Sequence, residues 1–240
     1  MTFSFLSFFV LISLFSCNKN ETFPELKLIQ TIDIGISEPS GICVAKEGRS
    51  LYVVSDDENR IVEISTDGEF VRQIIIGKAD YEGITFDSNT GTIWLADEQN
   101  RLLLNIDTLG YFMMNVQVPG SNQENSGIEG LSYNHDKKEF YLIIEKDPGK
   151  LIIVDSLFNI KNTYELDFAK DYSGCFYDSG DNALWIVSEQ SMLLVKCNLE
   201  GIPTQRYTFS EKGIEGIAIS GNKIFMVSDG LNRLFIYDTP

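Results

Sequence analysis

The sequence has few basic residues, one histidine and four cysteines, and each shortage excludes a class of protein. Its 240 residues include 19 Lys and Arg against 35 Asp and Glu, so the net charge is −16 at pH 7. Nucleic-acid binding requires clustered positive charge, so a nucleic-acid partner is excluded, whereas cations would be attracted. The cysteines at positions 17, 43, 175 and 197 form no CxxC or CxxH pair. We therefore expect no disulfide framework, and we expect the last three to be buried free thiols.

The N-terminus is an almost wholly apolar segment, residues 1–16, that ends at Cys17 and precedes a polar stretch. This length suits a signal peptide and is too short for a spanning helix. Leu14-Phe15-Ser16-Cys17 resembles a bacterial lipobox, although Phe15 is bulky for its position and no Lys or Arg precedes the run. We predict a signal peptide at 1–16, lipid on Cys17, a linker at 17–25 and one domain at 26–240. The protein would lie in the bacterial cell envelope, periplasmic or at the surface; a cleaved secretory signal or a short anchor is the alternative.

A five-fold repeat occupies the rest of the chain. In each copy a Glu or Ser precedes a glycine at the start of an apolar run, and the glycines recur about every 42 to 47 residues, the period of propeller blades. These glycines are Gly41, Gly83, Gly130, Gly174 and Gly216. Turns rich in Gly, Asn, Asp and Ser divide each repeat into four short runs rich in Val, Ile, Phe, Tyr and Leu. This pattern predicts consecutive antiparallel hairpins.

The two ends of the chain predict how the array closes. The last repeat stops after its third strand, near Asp238, whereas residues 26–34 resemble the fourth strand of the first repeat at 70–76. An N-terminal strand that completes the last blade would remove exposed edges. The predicted fold is therefore all-β: a five-bladed β-propeller of four-stranded antiparallel blades, closed by the N-terminal strand. We expect a monomer.

Two sets of polar residues are predicted at one mouth of the channel, because the start of a blade's first strand and the end of its second lie on the same side. The first set precedes the repeated glycines: Ser40, Glu82, Glu129, Ser173 and Glu215. The second set ends the second strands: Asp56, Asp97, Glu145, Glu189 and Asp229. Further acids lie two positions before the first set, at Glu38, Asp80 and Asp171.

Carboxylates crowded around a narrow channel repel one another, which raises their pKa values unless a cation enters. Oxygen-only ligands suit a hard cation such as Ca²⁺. We therefore predict one Ca²⁺ near the axis with Glu82, Glu129 and Glu215 as its main ligands. Further candidate contacts are Glu38, Ser40, Ser173, Asp56, Asp97, Glu145, Glu189 and Asp229.

A structural role is the alternative for the second set. Arg60, Arg101 and Arg233 each follow an acid at the start of the third strand, and Lys150 is placed similarly after Glu145. Each basic residue could hydrogen-bond its acid and simply hold the turn between the second and third strands.

Other conspicuous residues favour structural interpretations. Five aromatic residues share one position in the second strands, which predicts packing between blades. They are Tyr52, Trp94, Tyr141, Trp185 and Phe225. His135 lies in a turn at the opposite end of the channel, so we expect no catalytic role for it. The connector at 118–127 is either a flap over the mouth or a plain insertion.

Several motifs resemble the SdiA-regulated (YjiK-like) family of bacterial propellers, distant relatives of NHL-repeat proteins. They include Glu38-Pro39-Ser40-Gly41-Ile42, Tyr81-Glu82-Gly83-Ile84, Ile128-Glu129-Gly130-Leu131 and Ile214-Glu215-Gly216-Ile217. The resemblance implies a five-bladed propeller, often membrane-tethered, with a calcium site.

Two functions are open. The preferred one is a binding module for an unidentified small molecule or protein, which touches the membrane only through the lipid on Cys17. The alternative is a Ca²⁺-dependent lactonase or esterase similar to gluconolactonase and paraoxonase propellers, whose metal ligands also precede a glycine. Counterparts of their Asn ligands, and of the paraoxonase His base, were not found here.

Overall fold

The computed structural model describes residues 22–118, 127–146 and 148–240. The predicted signal peptide, Cys17 and most of the 118–127 connector lie outside the described residues. Twenty strands form five four-stranded antiparallel sheets, which confirms the predicted propeller. The described ranges contain one short 3₁₀ turn, at Lys46–Gly48, and no helix that could span a bilayer.

Strands are numbered along the chain, and within each blade they are given from the innermost to the outermost. Blade 5 takes its outer strand from the N-terminus, β1 (Leu28–Asp33). Blade 1 consists of β2 (Pro39–Val44), β3 (Ser50–Ser55), β4 (Arg60–Ser65) and β5 (Phe70–Ile75). Blade 2 consists of β6 (Tyr81–Asp87), β7 (Thr92–Asp97), β8 (Leu102–Asp107) and β9 (Phe112–Gln117). Blade 3 consists of β10 (Ile128–Asn134), β11 (Glu139–Ile144), β12 (Lys150–Val154) and β13 (Ile160–Glu165).

The remaining blades follow the same order. Blade 4 consists of β14 (Gly174–Asp178), β15 (Ala183–Ser188), β16 (Leu193–Cys197) and β17 (Pro203–Thr208). Blade 5 consists of β18 (Ile214–Ser220), β19 (Lys223–Ser228), β20 (Arg233–Asp238) and β1. The antiparallel pairing of β1 with β20 confirms that the N-terminal strand completes the last blade.

The repeated glycines let the innermost strands of neighbouring blades approach one another. A Cβ on Gly83 would lie 2.8 Å from the side chain of Leu131 in blade 3, and one on Gly216 would lie 2.9 Å from the carbonyl oxygen of Ser40 in blade 1. Real Cβ atoms do not tolerate such contacts with a packed neighbour. The glycine in each repeat is therefore required by the ring.

The core fills the spaces between adjacent blades, one apolar cluster for each of the five interfaces. The five equivalent aromatic residues of the second strands are all buried within these clusters, as predicted. Cys43, Cys175 and Cys197 are buried free thiols, also as predicted. Burial of these apolar side chains supplies the main driving force for closing the ring.

Candidate functional site

A bulge in the innermost strands aims the first set of polar residues at the channel. The pairing of the first two strands skips one residue in blades 1, 2, 3 and 5, immediately before the repeated glycine. The skipped residues are Ser40, Glu82, Glu129 and Glu215. A bulge leaves its extra residue outside the ladder and re-aims its side chain. In these four blades the repeated motif therefore has two parts. The bulge aims a polar side chain at the channel, and the glycine after it leaves room for the neighbouring blade.

The mouth is a cavity of about 410 Å³, and nine of its twelve lining residues are acidic. The acids are Asp56, Glu82, Glu98, Glu129, Glu145, Asp171, Glu189, Glu215 and Asp229. The other three are Ser40, Ser173 and Gln190. Lys146 binds the carboxylate of Glu145 at 2.5 Å and partly offsets this charge. Since the lining itself includes no cationic side chain, the cavity strongly favours a cation.

Burial and mutual repulsion hold several of these carboxyls in the protonated form. Burial, followed by the carboxylates of Asp56 and Glu98, raises the pKa of Glu82 to about 9. Burial and then Asp229 raise the pKa of Glu215 to about 7, which a hydrogen bond with Ser173 opposes. Glu98 and Glu129 share a side-chain hydrogen bond, and burial raises the pKa of both above the ordinary range. A bound cation would reverse this preference for the proton.

Two acids of the mouth lie close to a third, Asp80, which is not part of the cavity lining. Single oxygens of Asp56, Asp80 and Glu82 all lie within 4.8 Å of one another, and we name these residues the carboxylate trio. Within the trio, the Oδ1 atom of Asp56 is buried and has no hydrogen-bond partner. Burial, and then the charges of Glu38 and Asp80, raise the pKa of Asp56 to about 6. Buried polar atoms in proteins normally have a partner, and a bound cation would supply the interaction that this oxygen lacks.

The predicted main ligands are therefore divided. Glu82 belongs to the carboxylate trio, whereas Glu129 is paired with Glu98 and Glu215 with Ser173. All three line the same cavity, and their role as ligands stays a prediction.

Hydrogen bonds within the fold involve Ser40, Asp171 and Glu38. Ser40 donates its hydroxyl hydrogen to the carbonyl oxygen of Tyr81 at 2.6 Å, so it links blade 1 to blade 2. Asp171 is buried and accepts hydrogen bonds from the Ser188 hydroxyl and the Gln190 amide. Glu38 has a positive φ of 42° and donates its backbone N–H to the side chain of Asn232. Its charge nevertheless acts on Asp56.

The second set differs from expectation in blades 1 and 2. The guanidinium of Arg60 donates hydrogen bonds to both carboxylate oxygens of Glu58, at 2.9 Å each. Arg60 therefore pairs with Glu58 and not with Asp56, the partner that the spacing suggested. Asp97, which we expected at the mouth, accepts hydrogen bonds from the backbone and side chain of Asn100. Glu98 lines the mouth in its place. Glu98 is not among the residues predicted from the sequence, and its one signal there is the adjacent pair of acids, Asp97-Glu98.

The other second-set acids line the mouth as predicted and have local partners. Glu145 binds Lys146, and Glu189 accepts a hydrogen bond from the backbone N–H of Gly213 at 3.2 Å. Asp229 accepts one from the backbone N–H of Gly230.

A constriction lies between the mouth and the opposite end of the channel. It is a space of only about 10 Å³, lined by the five repeated glycines, by Glu82, Glu129 and Glu215 of the mouth, and by Ile42, Ile84, Leu131, Cys175 and Ile217. A second cavity of about 210 Å³ lies beyond it and includes His135 in its lining. The Nδ1 atom of His135 is 3.2 Å from the Ser88 hydroxyl and 3.8 Å from Oδ1 of Asp87. The single histidine therefore lies at the other end of the channel from the mouth acids, as expected.

Comparison with known proteins agrees with this architecture. A chain in a crystal structure of a nidogen–laminin complex is similar with a TM-score of 0.61 at 17% identity, over 84% of this chain and 76% of that one. Glutaminyl cyclase from Myxococcus xanthus gives 0.68 at 12% identity, over 90% and 99%. Virginiamycin B lyase from Staphylococcus aureus gives 0.53 at 17% identity, over 83% and 66%. These similarities establish the fold alone.

A family model also matches nearly the whole propeller, residues 25–235, and its description is SdiA-regulated. The match spans all five blades, including the first strand and the first half of the last, β20. The chain therefore belongs to the SdiA-regulated family.

Proposed function

We propose that this chain is an extracytoplasmic, lipid-anchored binding module whose mouth holds Ca²⁺. The observation that carries the proposal is the buried Oδ1 atom of Asp56, which lacks a hydrogen-bond partner inside the carboxylate trio. A buried charged oxygen without a partner is costly, and a coordinated cation would supply the missing interaction.

The chemistry of the donors favours Ca²⁺ over softer metals. The mouth lining offers carboxylate, hydroxyl and amide oxygens, and neither His nor Cys is part of it. Zn²⁺ and copper sites in proteins usually include nitrogen or sulfur ligands, whereas Ca²⁺ takes six to eight oxygens. The trio would supply three of these, which leaves positions for water or for an oxygen of the bound ligand.

The ligand of the module would therefore approach a cation surrounded by acids. A carbonyl, carboxylate or hydroxyl oxygen could complete the coordination shell, and a basic group could pair with the remaining acids across the mouth. We expect a small molecule or an exposed segment of a protein with such groups. The predicted lipid at Cys17 would keep this mouth near a membrane of the cell envelope.

The proposal is tested by a Ca²⁺ titration of the chelator-treated protein, followed by thermal melting. Ca²⁺ should stabilise the fold by about 2.7 kcal/mol at a hundred times the Kd, because it binds only the folded state. The double variant Asp56→Asn with Glu82→Gln should lose this response while melting at least as high without metal, since it removes like charges. Glu189→Gln is the matched control, an acid of the same mouth outside the trio. An unchanged melting temperature for the unaltered protein contradicts the proposal.

A Ca²⁺-dependent hydrolase is the second candidate, and the protonated carboxyl group of Glu129, outside the trio, favours it. Glu129 would be available as a proton donor in a cavity large enough for a small ester. A panel of lactones and aryl esters, assayed with and without Ca²⁺, distinguishes the candidates. Metal-dependent turnover that Glu129→Gln abolishes, while stabilisation by Ca²⁺ is kept, would favour the hydrolase, and absence of turnover would remove it for those substrates.

A further inference from the structure

The outer strands of three neighbouring blades present apolar residues at equivalent positions. In all five blades the outer strand pairs with the third strand, and the pairing skips the second residue of the outer strand. The first two residues of each outer strand therefore occupy equivalent positions. In three blades both are apolar: Leu28-Ile29 in β1, Phe70-Val71 in β5 and Phe112-Met113 in β9. In the other two the second residue is polar: Ile160-Lys161 in β13 and Pro203-Thr204 in β17.

These side chains are exposed, and they recur around the rim from blade to blade. The exposed fraction is 64% for Phe70, 50% for Val71, 62% for Phe112 and 57% for Met113. A Cβ on Gly68, before β5, would lie 2.7 Å from Ile32 of β1. Similarly, a Cβ on Gly110, before β9, would lie 2.6 Å from the carbonyl oxygen of Ile75, the last residue of β5. The start of each outer strand therefore lies beside the end of the preceding one.

The three pairs therefore recur about one strand length apart around the rim, and we name them the apolar arc: Leu28, Ile29, Phe70, Val71, Phe112 and Met113. Between the second and third pairs, the exposed Ile75 lies beside the turn that contains the exposed Leu109 and Tyr111. Exposed apolar side chains clustered in this way mark protein or membrane contact sites. The repeat itself does not require them, since blades 3 and 4 have polar residues at the same bulge.

We propose that the apolar arc rests on the lipid bilayer to which the protein is anchored. Cys17 precedes Leu28, the first residue of the arc, by 11 residues. Even a fully extended tether of that length reaches no further than about 40 Å. A bilayer that holds a lipid on Cys17 is therefore within reach of the rim. The chain enters the propeller just before Leu28, where Leu26 is buried and the backbones of Pro24 and Leu26 hydrogen-bond to Thr208 of blade 4.

Charge and shape favour a zwitterionic bilayer over other occupants. The net charge of −16 would oppose binding to anionic lipids, so apolar contact must supply the attraction. Within β5 the one charged side chain, Arg72, is already bonded to Glu63 and to the carbonyl oxygen of Thr108. The rim of a ring is convex, so a second rigid copy would cover only a narrow strip of it. A bilayer can take up each side chain separately.

This inference uses only the anchoring part of the proposed function, and calcium binding plays no part in it. The arc lies on outer strands and the mouth acids lie on inner strands and their turns. Docking through the arc would therefore leave the mouth accessible to its ligand.

Tryptophan substitutions in the full chain test the proposal. Met113→Trp places a fluorescent residue in the arc, and Lys161→Trp places one at the same bulge position of blade 3. Each protein is reconstituted into phosphatidylcholine vesicles with and without brominated acyl chains, and emission of the unaltered chain is subtracted. We expect the Met113→Trp emission to shift to shorter wavelength and to be quenched by brominated lipid. The Lys161→Trp emission should resemble that of a residue in water.

Flotation of the vesicles separates failure of the anchor from failure of the arc. If the unaltered chain does not float with vesicles, both the anchor and the arc are wrong. If it floats but Met113→Trp is not quenched, or is quenched no more than Lys161→Trp, the arc proposal alone is overturned. A short-wavelength Met113→Trp emission without vesicles also overturns it. Sedimentation would then show whether a second copy or another part of the chain covers the arc.

Discussion

Gly174 and Glu215 belong to neighbouring blades, and a side chain on the glycine would place its Cβ 2.4 Å from the carbonyl oxygen of the glutamate. Glu215 is also the bulged residue that presents its carboxyl group to the mouth. The backbone of Glu215 can therefore take its position only because residue 174 in the neighbouring blade has no side chain. The same arrangement relates Gly41 to Glu82, with a corresponding distance of 2.7 Å.

Substitution of this glycine should destabilise the ring. Gly174→Ala should lower the free energy of unfolding by about 1–3 kcal/mol, because an added methyl group in a packed interior forces the backbone to shift. Denaturant unfolding measures the change. Gly77→Ala is the control, since no atom lies within 4 Å of the added methyl and the φ of Gly77 is not positive. Equal stability losses for the two variants would show that the blades do not pack as closely as described.

The repeat made the fold predictable because each of its elements has one physical purpose. The apolar runs fill the spaces between blades, and the glycines admit the neighbouring strand. The last repeat lacks a fourth strand and the N-terminus supplies an additional one, which implies that β1 pairs with β20. These constraints act at every repetition, so one chain contains five independent indications of the same geometry.

The roles of individual acids were less predictable because short-range hydrogen bonds decide them. Asp97 and Glu98 are adjacent, but Asp97 is bonded to Asn100 within the turn whereas Glu98 lies at the mouth, where it shares a hydrogen bond with Glu129. Arg60 likewise bonds Glu58, two residues away, although its spacing from Asp56 suggested another partner. Spacing along the chain identifies the turn but does not determine which rotamers meet within it.

The exchanged roles of Asp97 and Glu98 lead to opposite expectations for their variants. Asp97→Ala should lower the free energy of unfolding by about 1–3 kcal/mol, because the amide groups of Asn100 lose their acceptor. The stabilisation that Ca²⁺ confers should be unchanged. Glu98→Gln should leave the metal-free stability equal or higher, because it removes a carboxyl group that raises the pKa of Glu129. Thermal melting of both variants with and without Ca²⁺ checks this, and a lost calcium response in Asp97→Ala would contradict it.

The raised pKa values predict that the metal-free protein becomes less stable as pH rises. Glu82 and Glu215 have pKa values of about 9 and about 7 in the folded protein, well above those of unfolded glutamates. Between the unfolded and folded values only the folded chain holds these protons, so the free energy of unfolding falls with pH. The fall should extend from about pH 5 to about pH 9.

Denaturant unfolding at a series of pH values, in the presence of a chelator, measures this slope. Glu82→Gln should flatten it in the upper part of the range, because the substituted amide does not titrate. Saturating Ca²⁺ should reduce or reverse the slope, since the cation displaces protons from the mouth. Metal-free stability that is constant from pH 5 to pH 9 would show that the mouth carboxyls are more hydrated than their burial indicates.

The closing strand β1 provides the last prediction. Its six residues, Leu28–Asp33, pair with β20 and so join the two ends of the described chain. Replacing them with six Gly and Ser residues should expose the edge of β20 and open the ring. The loss of free energy should exceed the stability of an ordinary domain, so the cooperative unfolding transition should disappear. A synthetic peptide of residues 26–34 should restore the transition in a saturable way, because it can add to the free edge as a strand. A peptide of residues 158–166, from the outer strand of blade 3, is the control. If the substituted protein melts like the unaltered one, or if both peptides act equally, the specific closure by β1 is refuted.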